Sequence, residues 1–253
     1  MHQNLNSTMT MSLLAAKAVP MHFLFLENMP VYRQLQMEEA ILRTDERNWC
    51  LINTGSPAAI VMGISAKPEL LINQTHFNNR PVPVIRRFSG GGTVFVDFST
   101  YFVTWICNAE DSGAACIPSQ LYEWTSAFYK QAFPDFGMEL LENDYSIGAK
   151  KFGGNAQYLA KQRWLHHSSL LWDFDLHNMN YLSMPPKMPQ YRQQRPHDEF
   201  LCRLKDHFPS RAHFQQGLIQ YLCHCFDVRE MTLDQCHEIM ERPHRKATCV
   251  YTQ

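Results

Sequence analysis

The sequence predicts an α+β fold, a mixed, largely antiparallel sheet flanked by helices, from three observations. Segments of helical period occur early in the chain and again in its middle; short runs of β-branched and aromatic residues, set off by turn-formers, lie between and after them; and several such runs follow one another with no helix between, as antiparallel neighbours do. With 253 residues the chain is ample for a hydrophobic core, as one large domain or one domain with a small appendage.

The first helix is expected from Val31 to Glu46, where Val31, Leu35, Ile41 and Leu42 recur among Arg, Gln and Glu and Pro30 stands just before. Three β-rich runs follow, Trp49 to Asn53, Ala59 to Gly63 and Val82 to Arg86, separated by Gly55-Ser56-Pro57 and Asn78-Asn79. Next come Thr93 to Phe98 and Tyr101 to Cys107, expected to pair as adjacent strands. Helix returns at Pro118, which suits a first turn because its missing N–H would have had no helical partner; Leu121, Trp124, Phe128 and Ala132 then repeat at helical intervals. A strand-rich block runs from Glu139 to Asp173, and four prolines make Ser183 to Pro196 an irregular loop. Two short helices close the chain, the second opening at Thr232 with a capping box completed by Gln235.

Residues 1–20 hold Lys17 as their only lysine or arginine and no long apolar run, so they read as a loose N-terminal leader rather than a signal or transit peptide, with residues 21–253 as a single domain. A net charge of -1 supplies no basic field for nucleic acid or an anionic membrane, and no run reaches the roughly 18 to 20 apolar residues that cross a bilayer. Eight cysteines without compact spacing favour reduced thiols and a cytoplasmic setting. Cys223, Cys225, Cys236, His237, His244 and Cys249 match no zinc spacing, and these cysteines read as buried and structural.

Three segments carry more chemistry than a scaffold needs. In RRFSGGGTVFVD, Arg86 to Asp97, the glycine triplet reads either as a hairpin connection or as backbone that a ligand approaches closely, with the arginines as fixed donors for a carboxylate or phosphate. It is neither a Walker loop nor GxGxxG. In ENDYSIGAKKFGGNAQ, Glu142 to Gln157, Lys150-Lys151 reads either as a solvated turn pair or as a source of charge for an α-phosphate or a carbonyl oxygen beside the bare backbone that follows. Asp144 is a turn residue or a carboxylate for magnesium beside nucleotide phosphates. In WLHHSSLLWDFDL, Trp164 to Leu176, His166 and His167 taken alone read as one half-buried and one exposed histidine.

Together and in this order, these segments resemble the lipoate-protein ligase A family, whose pattern runs RRxSGGGxVxxD, then ND, then K[IVF]xGxA, then HHGT. The resemblance covers roughly Val31 to Leu182 and implies the fold of biotin and lipoate ligases and class II aminoacyl-tRNA synthetases. It makes Lys151 the catalytic lysine, touching the acyl carboxylate and the α-phosphate of ATP. It also makes Arg87, Ser89, Gly90, Gly91, Gly92 and Asp97 part of the lipoyl and nucleotide pocket, and Asp144 a nucleotide-side acid that helps hold Mg2+. Gly154, Asn155 and Ala156 become the turn beneath the ligand, and His167 a substrate contact.

The implied activity adenylates lipoate with ATP and transfers the lipoyl group to a lysine of a lipoyl domain, in a 2-oxoacid dehydrogenase complex or the glycine cleavage H protein. Only about 70 residues follow Leu182, so a full accessory C-terminal domain is not expected, and a separate small accessory protein becomes a candidate partner. The sequence departs from the pattern at Val96, where histidine is common, and at Ser168-Ser169, which replaces Gly-Thr. The alternative is an octanoyl- or lipoyl-transferase working without ATP through a cysteine thioester. No cysteine precedes Lys150 within that segment, and the first after Leu176 is Cys202, in a helical-looking EFLCRL expected to be core.

Overall fold

A computed structural model of the chain describes residues 19–252. In chain order the strands are β1 (Pro20–Leu26), β2 (Trp49–Asn53), β3 (Ala59–Met62), β4 (Val84–Arg86), β5 (Val94–Val96), β6 (Thr100–Asn108), β7 (Met138–Leu141), β8 (Asp144–Ile147), β9 (Lys150–Leu159), β10 (Arg163–Leu171), β11 (Asp227–Glu230) and β12 (Cys249–Val250). The longer helices are α1 (Val31–Thr44), α2 (Pro118–Ala132), α3 (Arg211–Cys225) and α4 (Leu233–Met240). The expected leader lies outside the described residues up to position 18, and its last residue, Pro20, already opens β1.

β6 alternates along its length and feeds both layers of the core. Tyr101, Val103, Trp105 and Cys107 face α2 and α3, joining Trp124, Phe128, Trp164, Leu218 and Leu222, while Ile106 faces α1 and packs with Met37, Ile41 and Leu165. With both faces covered, Thr100 to Cys107 are buried throughout. Truncating a core aromatic such as Trp105 to alanine would cost about 3–5 kcal/mol.

The large sheet has eight strands in the order β11-β1-β2-β6-β10-β9-β8-β7, and a smaller one has four in the order β12-β4-β3-β5. Among the described strands, parallel pairing is confined to β1 with β2 and β11, and to β3 with β4; the other strand pairs are antiparallel, as the sequence leads one to expect. Two pairings differ from expectation. β5 does not pair with β6, because both edges of β6 are taken by β2 and β10. A turn in which Thr100 N–H donates to Asp97 O at 3.0 Å sends the chain from one sheet to the other. Nor is the glycine triplet a hairpin: β4 and β5 flank β3, so their connection must cross the end of that strand. It crosses so closely that a Cβ on Gly63 would stand 2.4 Å from Gly91 O.

Helix α1 ends at Thr44, short of the expected Glu46, and α4 begins with the expected capping box at Thr232 and Gln235. The first of the two closing helices is longer than foreseen, spanning Arg211–Cys225. Of the C-terminal cysteines Cys225 and Cys236 are buried, but Cys223 and Cys249 are exposed, a correction that follows from their positions on the outer face of α3 and on the edge strand β12. Among the described residues no helix is long and apolar enough to cross a membrane.

Candidate active site

Between the two sheets opens a cavity of about 750 Å3. Its apolar end is made by Val31 of α1, Val61 of β3, Val96 of β5 and Phe102 of β6, members of one buried cluster. Its polar end is made by Lys151, Asp144 and Asn143 on one side and Gly91 and Gly92 on the other. The proline-rich loop forms the roof, with Met188, Pro189, Arg192 and His197 facing inward.

Lys151 bends over Gly154, where an added Cβ would stand 3.3 Å from Nζ, and its ammonium meets Asp144 Oδ1 at 2.8 Å. The other oxygen of Asp144 accepts from the Tyr191 hydroxyl at 2.9 Å, so this carboxylate ties Lys151 to the roof. Further ties are Tyr191 N–H to Glu142 Oε1 at 3.2 Å, Arg195 Nη2 to Ala149 O at 2.8 Å and Cys202 N–H to Lys151 O at 2.9 Å. Burial and the charges of Arg192 and Lys151 hold His197 down at about 4, so it is neutral near pH 7.

The glycine loop is built from beneath by Arg87. Its Nη2 donates to Gly92 O at 2.8 Å and to Gly90 O at 3.0 Å, and Nε also reaches Gly90 O. Thus Arg87 lines the cavity but directs these donors at the loop's carbonyls, and burial lowers it to about 10. Gly90 N–H donates to Gln157 O at 3.2 Å, which docks the loop on β9. Gly91 adopts φ +114°, a backbone that side chains rarely allow, with Asn155 O beside it.

Gly154, Asn155, Ala156 and His167 all line the cavity, but the first three lie within β9, paired with Ser169, Ser168 and His167 of β10, and not in the turn read from the sequence. The side chain of Asn155 is otherwise engaged: Nδ2 donates to Asn143 O at 3.0 Å, and Oδ1 accepts from Ser168 Oγ at 2.7 Å. Three expected residues stand apart from the cavity lining: Gly90, whose N–H is spent on Gln157 O, Ser89 and Asp97. Ser89 is buried behind the loop, its hydroxyl without a partner among the described residues. Asp97 holds the turn between sheets, accepting from Ser99 N–H at 2.8 Å and from Asn178 Nδ2 at 3.4 Å, and burial raises its pKa.

Both histidines are buried, correcting the half-buried and exposed pair read from sequence, because β10 lies inside the sheet with helices on its far face and the cavity on its near one. His166 faces the helices. Its Nδ1 takes a bond from Gln157 Nε2 at 3.0 Å while Nε2 lies 3.1 Å from Asn155 Oδ1 and 3.1 Å from the Tyr145 hydroxyl. Burial, with the neighbouring His167, lowers it to about 3. His167 faces the cavity and turns Nδ1 toward Glu38, at 2.9 Å from Oε1, and toward Thr104 Oγ1 at 3.0 Å.

Glu38, Gln34, Thr104 and the roof residue Tyr191 escaped the sequence reading. One signal existed. Gln34 and Glu38 lie one turn apart on the stripe of α1 that carries Val31, Leu35 and Ile41, so an amide and a carboxylate sit where that face turns to the core.

Among the described residues no group of three or more His, Cys, Asp or Glu is gathered that could hold a metal ion. Asp144, the expected magnesium ligand, has Lys151 on one oxygen and Tyr191 on the other. As they stand, these side chains do not make a resident magnesium site.

The family model described as the lipoyl protein ligase A/B catalytic domain matches residues 30–226. A Plasmodium falciparum protein named inactive lipoate–protein ligase 2 is 24% identical over 276 residues, covering 84% of this chain and 71% of its own length. Lipoate–protein ligase 1 of Staphylococcus aureus is 30% identical over 158 residues, covering 60% of this chain; this chain spans 46% of that protein, less than half its length. Among solved structures, a bi-partite lipoate protein ligase from Thermoplasma acidophilum, described with its E2 lipoyl domain, superposes with a TM-score of 0.70 at 17% identity over 88% of this chain and 93% of the other. A lipoate-protein ligase A bound with ATP gives a TM-score of 0.70 at 16% identity over 88% of this chain and 95% of the other, a likeness of fold. Since the matched residues run from α1 through all three motif segments to the end of α3, the chain belongs to the lipoyl protein ligase A/B catalytic domain family.

Proposed function

We propose that residues 21–253 form the catalytic domain of a lipoate–protein ligase, which activates lipoate with ATP to lipoyl-AMP and passes the lipoyl group to a lysine of an acceptor lipoyl domain. One observation carries the reading: the ammonium of Lys151, the glycine loop and an apolar end of valines and phenylalanine share a single cavity. An acid with an apolar chain and a nucleotide phosphate then have complementary places that meet at Lys151.

In the first step a carboxylate oxygen of lipoate attacks the α-phosphorus and the bond to pyrophosphate breaks. Lys151 neutralises the charge gathering on both partners, for which it leaves Asp144; the backbone N–H groups of the glycine loop, held by Arg87, complete the anion-binding surface. In the second step the acceptor amine attacks the acyl carbon, AMP leaves and an amide forms. The bound ATP of one structural relative and the E2 lipoyl domain of another support these substrates.

The transferase alternative lacks a nucleophile among the residues that line the cavity, which include no cysteine. Cys202 stands half-buried outside a helix, its thiol on Lys150 O and pushed up to about 11 by burial, whereas a thioester-forming cysteine needs its thiolate. Eight free thiols suit the reducing cytoplasm.

The test is lipoate-dependent exchange of pyrophosphate into ATP, with an arm containing a separate accessory protein because the Thermoplasma ligase is bi-partite. Exchange by the chain and its loss on Lys151→Ala support the ligase. Absence of exchange in every arm, together with transfer from an octanoyl-carrier donor, would replace it with the transferase.

A further inference from the structure

The roof holds a buried cation that has no counter-ion. Arg192 is 4% exposed and lines the cavity, yet among the described residues it enters no ion pair. Its Nε donates to Arg195 O at 2.9 Å and its Nη2 reaches Met184 Sδ at 3.2 Å, a thioether that accepts only weakly, while Nη1 has no partner among the described residues. The guanidinium is nevertheless fixed in place, lying over the Phe200 ring at 4.7 Å from its centroid, and the backbone N–H of Arg192 donates to Pro189 O at 3.1 Å. Gln193 and Gln194 follow with φ +52° and +60°, left-handed conformations that cost free energy for residues with a Cβ, and the turn they make brings Arg195 O back onto Arg192 Nε. A guanidinium held out of water without a carboxylate is costly unless an anion completes it. Burial is the largest influence on its pKa and lowers it.

Arg192 belongs to the polar end. Its neighbour Tyr191 donates to Asp144 Oδ2 while Lys151 holds Oδ1, and the charges of Arg192 and Lys151 both act on His197. The floor supplies little charge of its own. Arg87 spends Nε and Nη2 on the carbonyls of Gly90 and Gly92, and β5 lines the cavity with Val94, Phe95 and Val96. Over the whole lining, Arg87, Lys151, Lys187 and Arg192 outnumber Glu142 and Asp144, in a chain whose net charge is -1. A carboxylate and an α-phosphate that share Lys151 leave the outer phosphates of a nucleoside triphosphate to be met by other cations, and those of the roof are uncommitted.

We propose that Arg192 holds the two outer phosphates of ATP and, once the α-phosphorus has been attacked, the departing pyrophosphate. This rests on the ligase reading and adds to it a residue from the proline-rich loop, beyond the segments that carry the family resemblance. As the bond from the α-phosphorus to the bridging oxygen breaks, that oxygen keeps the electron pair and negative charge grows on pyrophosphate, where a planar fork of N–H donors can meet two phosphate oxygens. Arg192 takes no part in the second step, because neither AMP nor the acceptor amine carries an outer phosphate.

The experiment measures binding of ATP, pyrophosphate and AMP to the purified chain and to Arg192→Gln and Arg192→Lys, together with lipoyl transfer from synthetic lipoyl-AMP to a lipoyl domain. Arg192→Gln is expected to weaken ATP and pyrophosphate about ten- to a hundredfold, the worth of a charge-assisted hydrogen bond, and to leave AMP within about twofold of wild type. Transfer from lipoyl-AMP should keep its wild-type rate. Arg192→Lys retains the charge without the fork and should recover part of the loss; if Arg192→Gln does not fold, the contrast between ATP and AMP is read on Arg192→Lys alone. Loss of AMP binding in step with ATP overturns the proposal, because a roof that had merely lost its order would weaken both, and so does a slowed transfer from lipoyl-AMP. If the wild-type chain binds neither ATP nor pyrophosphate, the ligase reading itself fails; if it binds both and Arg192→Gln binds them equally well, only the role of Arg192 is lost.

Discussion

Lys151 Nζ lies 2.8 Å from Asp144 Oδ1, and the two side chains close the polar end of the cavity from adjacent strands, β9 and β8. The pair is partly exposed, so it adds less than about 1 kcal/mol to stability, and its importance is positional. Lys151→Ala is therefore expected to lower lipoate-dependent exchange by about a hundred- to a thousandfold while leaving the denaturation midpoint nearly unchanged. A midpoint lowered by many degrees would show instead that the lysine serves the fold.

The neighbouring glycines are predicted to differ sharply from one another. At Gly91 a Cβ would stand 2.6 Å from Arg87 Nη2 and 3.0 Å from Asn155 O, on a backbone with φ +114°. At Gly90 the nearest atom would be Gln157 O at 3.8 Å. Gly91→Ala should cost about 1–3 kcal/mol and disturb nucleotide binding, whereas Gly90→Ala should leave the folding free energy within about 0.5 kcal/mol of wild type. Chemical denaturation of both variants decides this, and equal effects would contradict it.

Acid should destabilise the protein through His166. Its folded pKa, lowered to about 3, lies below the ordinary value of 6.5, so the unfolded chain binds a proton that the folded chain refuses. Stability is then complete above about pH 6.5 and falls as the pH drops from there toward 3, by at most about 1.4 kcal/mol per unit for this group. His197, lowered to about 4, acts in the same direction. Urea midpoints across this range should fall less steeply for His166→Asn than for wild type; parallel curves would remove His166 as the cause.

Glu39 is predicted to anchor the end of the chain. Its buried carboxylate accepts from Ala247 N–H at 3.0 Å and Thr248 N–H at 2.9 Å as well as from Arg43, and β12 follows at once, pairing with β4. Glu39→Ala should cost about 1–3 kcal/mol and raise the hydrogen exchange of residues 247–251 selectively. Uniform loss of protection across the chain would mean that Glu39 supports α1 rather than the tail.

Cys202→Ser should retain most of the activity, since the thiol faces Lys150 O and not the cavity. A variant that folds and yet transfers no lipoyl group, rescued only by a thiol at this position, would revive the covalent mechanism.

What the sequence determined by itself was whatever depends on near neighbours. The capping box at Thr232, the helical stripes of α1 and α2 and the glycine run before β5 are local chemistry, and so is the order Arg-Gly-Lys-His that carries the family resemblance. Lys151 and Gly91 could be nominated from their segments because bare backbone beside a fixed charge is a local property. Tertiary structure alone decided that β5 leaves β6, since strands pair where an edge is free and both edges of β6 were taken by β2 and β10. It likewise turned Asp97 into a hinge between sheets and Arg87 into the support of the loop. It also joined His167 to Glu38 across 129 positions of sequence, because a carboxylate sealed under a helix must find its donors wherever the fold brings them.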